Sequence, residues 1–254
     1  MGNSDSRPKL AVTIITLNEE SNIKDCLKSI KSWVDEIIIV DSGSSDRTCE
    51  IAEEMGAKVF KKDWPGYGAQ KNRAIELASC EWIFSIDADE RVPGELKEEI
   101  DIILCQPKYD AYSVKRLSNF CGKFMRHSGW WPDRVTRLFR KGTATFTNVI
   151  VHEKLETAGP VGKTKGHLLH YTYRNLHDAI EKMNKYSSAS AIQKGKQGSI
   201  AKATTHGIWM FFRTYFLKAG FLDGKEGFLL SVLNAETSYY KYVKPFYTKN
   251  DAKS

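Results

Sequence analysis

Two carboxylates in the segment "SIDADE", Asp87 and Asp89, stand where an apolar run ends. Acids at i and i+2 beyond the mouth of a strand can converge on one hard divalent cation, and such a cation would neutralise a diphosphate. A solvated acidic turn capping the next helix is the bland alternative. Asp41, in "IVDSGSSDRT", follows another apolar run. A carboxylate there can accept the N–H of a uracil-type base, whose edge offers one donor between two acceptors. Gly43 permits a tight turn, and Ser45 or Asp46 can cap the helix that follows. The segment "TLNEE", Thr16 to Glu20, ends a third such run, where backbone can face a nucleotide; it also reads as a helix start capped by Asn18. Lys71 and Arg73 sit early in a helical pattern, against the helix dipole. That cost suggests a task for at least one of them, with phosphate or base as the natural partner.

These residues need a frame, and the chain supplies one. Leu10 to Leu17, Glu36 to Val40, Ala57 to Phe60 and Glu81 to Ile86 read as buried strands. Helical patterns separate and follow them at Asn22 to Trp33, Asp46 to Met55, Ala69 to Ala78 and Pro93 to Leu104, with Gly56 suited to a left-handed cap. Strand–helix alternation with short connections predicts an α/β fold with a mostly parallel central sheet flanked by helices. Ligands of such sheets bind beyond the carboxyl ends of the strands, which is where the residues above fall. Extended segments follow at Ala111 to Leu117, Arg134 to Phe139, Thr143 to Val149 and Gly166 to Tyr173. Asn175 can then cap a helix running to about Gln193. Two further helices, Ile200 to Lys218 and Gly227 to about Val243, complete the chain.

The segments "TIITLNEE", "IIIVDSGSSDRT", "AQKNRAIELA" and "SIDADE" resemble, in order, the nucleotide-sugar half of family 2 glycosyltransferases of the GT-A (Rossmann-like) fold. Downstream, "GWWPDRVTRLFRKG", "VHEKL", "LLHYTY" and "FFRTYFLKAGFLDGKEGF" resemble a bacterial subgroup of lipopolysaccharide-core transferases that add glucose to the inner-core heptose. The resemblance spans roughly residues 9 to 245. It implies a nucleotide-sugar-binding half at residues 1–105, an acceptor-side half at 106–174 and a helical basic and aromatic C-terminal appendage at 175–254. It also implies roles. Thr16, Asn18 and Glu19 line the base and ribose pocket, Asp41 contacts the base and Lys71 the nucleotide. Asp87 touches ribose or metal, Asp89 is the main metal ligand, and His170 is a third ligand or a phosphate contact. Glu153 in "VHEKL" is the general base on the acceptor hydroxyl, with Asp133 in reserve. The family usually has an acidic pair at the place of Glu153, and this chain does not. The implied activity is inverting transfer of a hexose, glucose by the subgroup, from a UDP-sugar with Mn²⁺ or Mg²⁺ to a lipid-linked saccharide. The implied location is the inner face of a bacterial cytoplasmic membrane, as a peripheral protein. Donor sugar, acceptor and oligomeric state stay open.

Composition agrees with such a protein. The 254 residues are 41% hydrophobic and 27% charged, an ordinary globular balance. No uninterrupted apolar run reaches the roughly 18 residues of a transmembrane helix. Five cysteines, an odd number without a Cys-x-x-Cys pair, argue against a disulfide framework or a zinc site and suit a reducing compartment. The net charge is +7, and between Lys194 and Lys249 nine Lys/Arg face three Asp/Glu, so the basic surplus lies in the C-terminal part. There Trp209, Phe212, Phe216 and Leu217 alternate with Arg213 and Lys218, and Tyr240, Tyr242, Phe246 and Tyr247 with Lys241 and Lys244. Rings interleaved with cations suit an anionic lipid interface; a helical appendage packed on the core is the plainer reading. Nucleic-acid binding finds no recognition motif. Two other readings compete. A sugar nucleotidyltransferase would carry a Gly-rich loop after its first strand, where this chain has "TLNEES". A catalytically silent carbohydrate- or lipid-binding module would have no use for Asp87, Asp89 and a base.

Overall fold

The structure is a computed structural model, and it describes residues 7–147, 154–194 and 198–251. The chain divides into two compact units, Met1–Arg116 with Asp133–His170, and Leu117–Pro132 with Tyr171–Ser254.

The first unit begins with β1 (Leu10–Thr16), α1 (Glu20–Ile30), β2 (Glu36–Asp41), α2 (Thr48–Glu54), β3 (Lys58–Lys61), α3 (Tyr67–Leu77) and β4 (Trp82–Ser85). It continues with the short β5 (Glu90–Arg91), α4 (Gly94–Cys105), β6 (Ala111–Phe120), and, after β7 (Lys123–Phe124), β8 (Asp133–Arg140), β9 (Ala144–Phe146), β10 (Leu155–Thr157) and β11 (Val161–Tyr173). Strand β7 and the last residues of β6 and β11 belong to the second unit. The sheet order is β3-β2-β1-β4-β8-β6-β11-β5. The first four strands are parallel, as the alternation predicts. Strand β8 then pairs antiparallel with both β4 and β6.

The period-2 pattern of the strands divides the core between two faces. Leu10, Val12, Ile14, Ile37, Ile39, Trp82 and Phe84 point to one face, where Ile23, Leu27 and Ile30 of α1 and Leu96, Ile100 and Leu104 of α4 cover them. Ala11, Ile38, Val40 and Ile83 point to the other, against Ala74 and Ile75 of α3. Full burial of each such aliphatic side chain stabilises the fold by roughly 1.5–3 kcal/mol before chain entropy is counted. The result fixes the carboxyl ends of β2, β1 and β4 side by side, with Thr16 directly opposite Asp41.

One predicted cap differs in detail. Asn18 is not the N-cap of α1. That position is Glu19, and Asn18 takes a left-handed conformation at φ 56°, which Asn tolerates better than most residues. Asp46 does serve α2, since its Oδ1 accepts from the backbone N–H of Thr48 at 3.0 Å. Its other oxygen accepts from the N–H of Glu20 at 3.1 Å, so one side chain steadies the starts of two helices. Gly56 has φ 88°, in the left-handed region expected of it.

The second unit is mainly helical: α5 (Leu176–Lys194), α6 (Ile200–Phe212), a π-helical turn (Arg213–Leu217), a 3-10 turn (Gly220–Asp223) and α7 (Gly224–Asp251). Asn175 begins α5, its Oδ1 accepting from the N–H of Asp178 at 2.9 Å. Helix α7 packs on both α5 and α6. The unit has its own core of Phe120, Met125, Ala179, Leu230 and Leu233. None of the helices, over the described residues, is long and apolar enough to cross a membrane.

Candidate active site

Asp41 is fully buried at the end of β2, and its neighbours supply four donors. Oδ1 accepts from the hydroxyls of Thr16 (2.8 Å) and Ser44, and Oδ2 from the amides of Gly43 (2.9 Å) and Ser44 (2.8 Å). Burial alone would raise this carboxyl's pKa; the Ser44, Thr16 and Gly43 bonds outweigh it and hold the group below the ordinary value. Gly43, at φ 97°, makes the turn that aims two successive amides at one oxygen. The loop is closed from the other side by Asn18, whose N–H reaches Ser44 Oγ at 2.8 Å and whose Oδ1 accepts from Ser45 N–H at 2.8 Å. Glu19 points its backbone N–H at Thr48 Oγ1, 2.8 Å away. Thr16, Asn18, Glu19 and Asp41 thus belong to one pair of interlocked turns beyond β1 and β2.

The acidic turn beyond β4 is equally fixed. Glu90 Oε2 accepts from the Asp87 N–H at 2.9 Å, and Arg91 ties the turn to α1 through the carbonyl of Asn22 at 2.9 Å. Asp87 itself faces two cations. Lys71 Nζ lies 3.0 Å from Oδ1, and Arg137 donates to Oδ2. Burial would push Asp87 up, but the charges of Arg137 and Lys71 hold it well below the usual carboxylate range. Arg137 also pairs with Glu90 at 2.9 Å, and Arg116 lies 3.8 Å from the same Glu90 while holding Asp133 at 2.6 Å. Charges therefore alternate along Lys71, Asp87, Arg137, Glu90, Arg116 and Asp133. Glu90 and Arg137 are buried, and such pairs persist only when their partners are complete.

Asp89 points elsewhere, to His170 of β11, with Oδ2 and Nε2 3.4 Å apart. Burial would lower the imidazole's pKa; the Asp89 hydrogen bond and charge raise it. One carboxylate oxygen and one imidazole nitrogen, both largely buried, form a donor set that suits Mn²⁺ or Mg²⁺ when phosphate oxygens and water complete the sphere. Among the described residues no group of three or more His, Cys, Asp or Glu side chains is arranged to hold a metal. Asp89 and His170 lie together, while Asp87 pairs with Lys71 and Arg137.

Of the residues singled out in the sequence, Thr16, Asn18, Glu19 and Asp41 form one cluster, Lys71 and Asp87 a second, and Asp89 and His170 a third. Glu153 lies outside the described residues. Asp133 begins β8, and Arg116 takes its Oδ2 through two nitrogens. That pairing engages one of the two carboxylate oxygens and leaves the side chain 40% exposed. Arg73 holds the loop at Asp63 and makes no contact with the acidic turn. Sequence reasoning missed Arg137 and Glu90. The available signal was Arg137 next to the apolar pair Leu138 and Phe139 in a strand, a place where a charge that is buried demands a counterion.

Residues 11–158, more than half of the chain, match Glycosyl transferase family 2, and the chain belongs to that family. It is 35% identical over 257 residues to an uncharacterized glycosyltransferase of Rickettsia felis, covering 93% of this chain and 89% of that one. It is 30% identical over 260 residues to the lipopolysaccharide core biosynthesis glycosyltransferase LpsC of Rhizobium meliloti, covering 92% of this chain and 94% of the relative. Among solved structures it is similar to glucosyl-3-phosphoglycerate synthase from Mycobacterium tuberculosis in complex with Mn²⁺ and UDP-glucose, at 27% identity, 44% of each chain and a TM-score of 0.37. Family membership makes the chain a glycosyltransferase and sets aside the nucleotidyltransferase reading.

Proposed function

We propose that this glycosyltransferase moves a hexose, glucose by the subgroup it resembles, from a UDP-sugar to a lipid-linked saccharide such as the lipopolysaccharide inner core. The observation that carries the reading is the approach of Asp89 to His170 in the same unit as the Thr16–Asp41 turns, all built on one sheet. Base and ribose lie against the turns of Thr16, Asn18, Glu19 and Asp41. Because four donors already occupy the acceptor sites of Asp41, a base N–H enters by replacing a hydroxyl, Ser44 or Thr16, which can rotate to a new partner. Lys71 and Arg137 hold Asp87, so the acidic turn keeps its shape as the diphosphate arrives.

Asp89 and His170 would hold a divalent cation, which would supply positive charge to the leaving diphosphate. Glu153 takes the proton from the acceptor hydroxyl as its oxygen bonds to the anomeric carbon and the bond to the diphosphate oxygen breaks. One in-line displacement inverts that carbon. The name of the Rhizobium meliloti relative supports a lipopolysaccharide-core acceptor. The protein acts as a peripheral protein at the inner face of a bacterial cytoplasmic membrane, with the exposed rings of its second unit at the anionic lipid surface.

A panel of nucleotide sugars with Mn²⁺, Mg²⁺ or chelator, read as release of nucleoside diphosphate, tests the activity. UDP-glucose is expected to give metal-dependent release, and Glu153→Gln to abolish transfer while donor binding survives. Release that is insensitive to chelator overturns the metal assignment, and near-normal turnover in Glu153→Gln removes that residue from the role of base.

A further inference from the structure

The second unit contains a cavity of about 430 Å³, none of whose lining residues takes part in the transfer chemistry. Its walls include Trp130 from the loop before β8, Arg213 and Lys218 from the π-helical segment, and Lys241 with Thr237 and Ser238 from α7. Three of the lining residues are cations and none is an acid. Such a surplus in one concavity focuses potential on an anion.

The walls are held in place independently of any ligand. Asp223, 3% exposed, accepts from the N–H of His127 at 2.9 Å and of Arg126 at 3.2 Å, and from Ser128 Oγ at 3.2 Å. Ser128 N–H in turn donates to the carbonyl of Lys218 at 2.8 Å, so the loop is fastened to the segment that bears the cations. Gly220 and Gly227 allow the chain to close here, because a Cβ on Gly227 would stand 1.9 Å from the Gly220 carbonyl oxygen. The π-helical turn Arg213–Leu217 adds one residue to the helical repeat and redirects the side chains that follow, a device frequent at functional sites. Lys218 N–H closes it on the carbonyl of Arg213 at 2.8 Å.

The remaining walls suit a sugar better than a bare anion. Trp130 is set edge-on to Phe120 and tilted 33° against Tyr173, each with ring centres 5.9 Å apart, and, half-buried, it gives the cavity an aromatic wall of the kind a pyranose packs on. Thr237 and Ser238 donate to the carbonyls of Leu233 (2.7 Å) and His206 (3.4 Å), so further bonds they make are as acceptors, the partner a sugar hydroxyl needs. The volume falls within the range of roughly 300–1,000 Å³ that holds small organic ligands.

We propose that this cavity is a binding site for a sugar bearing a phosphate or carboxylate group. Calorimetry on the full chain tests it with glucose 6-phosphate, glucose and inorganic phosphate as separate probes. Glucose 6-phosphate is expected to bind about tenfold more tightly than either of the others, and Lys218→Gln with Lys241→Gln to reduce that affinity about tenfold. Lys218→Arg, which keeps the charge, is expected to retain binding, and UDP affinity to stay unchanged in both variants. Equal binding of glucose 6-phosphate and inorganic phosphate, or an unchanged affinity in the double variant, overturns the proposal. Binding of phosphatidylglycerol vesicles that needs Lys218 and Lys241, without binding of glucose 6-phosphate, assigns the cavity to a lipid headgroup and also overturns it. Donor turnover is read separately: an inactive protein that still binds glucose 6-phosphate through these lysines loses the transferase reading and keeps the binding site.

Discussion

Lys71 Nζ lies 3.0 Å from Asp87 Oδ1, so a lysine early in α3 is matched to the acidic turn beyond β4. Helix α3 starts at Tyr67, so Lys71 stands in its second turn, where the dipole has faded, and its charge is answered by the Asp87 carboxylate. The pairing also fixes Lys71 beside the acidic turn, where a nucleotide contact stays its proposed part.

Lys71→Met is therefore expected to lower both stability and donor affinity. Asp87 keeps Arg137, so the stability loss should fall at about 1–3 kcal/mol, below that of stripping a buried charge of every partner. Urea denaturation measures it. An unchanged midpoint would show that the Lys71 pair contributes nothing to the turn.

Asp41 gives the fold a pH dependence whose sign is fixed. Its folded pKa lies below the ordinary 3.8, so the stability it contributes is present above that value and is lost as pH falls through the lower, folded one. Asp41→Asn should cost about 1–3 kcal/mol at pH 7, and the gap to the wild type should close in acid. Denaturation series at several pH values check this. A gap that persists undiminished at the lowest pH contradicts the assignment.

Phe212 and Phe216 expose 44% and 51% of their surface and lie within ring contact of each other, beside the exposed Trp209 and Leu217. Phe212→Glu with Phe216→Glu is expected to abolish co-sedimentation with anionic phosphatidylglycerol vesicles while leaving the melting temperature nearly unchanged, since little packing is removed. Equal sedimentation of variant and wild type removes this surface from lipid contact. Lys244 is not part of that surface. It donates to Asn184 Oδ1 at 2.6 Å and to Ser187 and Ser188 at 2.8 and 2.7 Å, joining α7 to α5, and burial lowers its pKa.

The elements carrying the candidate site were legible because local pattern and burial agree. The β-branched runs of β1 and β2 and the apolar stripe of α1 announce their own partners, and Gly56 and Asn175 mark helix ends through backbone chemistry that acts within a few residues. The ionic wiring was not legible in the same way. Arg137 meets Glu90 and Asp87 across 47 and 50 residues of chain, and nothing near any of the three specifies that register. The role of Asn18 was hidden for a related reason. Its left-handed backbone is set by Ser44 and Ser45, on a different loop, and not by the helix it precedes.

The central claim is that Asp89 and His170 hold the cation needed to bind the donor. Its most direct test is calorimetry of UDP-glucose binding with and without Mn²⁺, for the wild type and for Asp89→Asn. The account predicts that Mn²⁺ strengthens binding to the wild type by tenfold or more, about 1.4 kcal/mol, and does nothing for the variant. Equal enhancement in both proteins would contradict it.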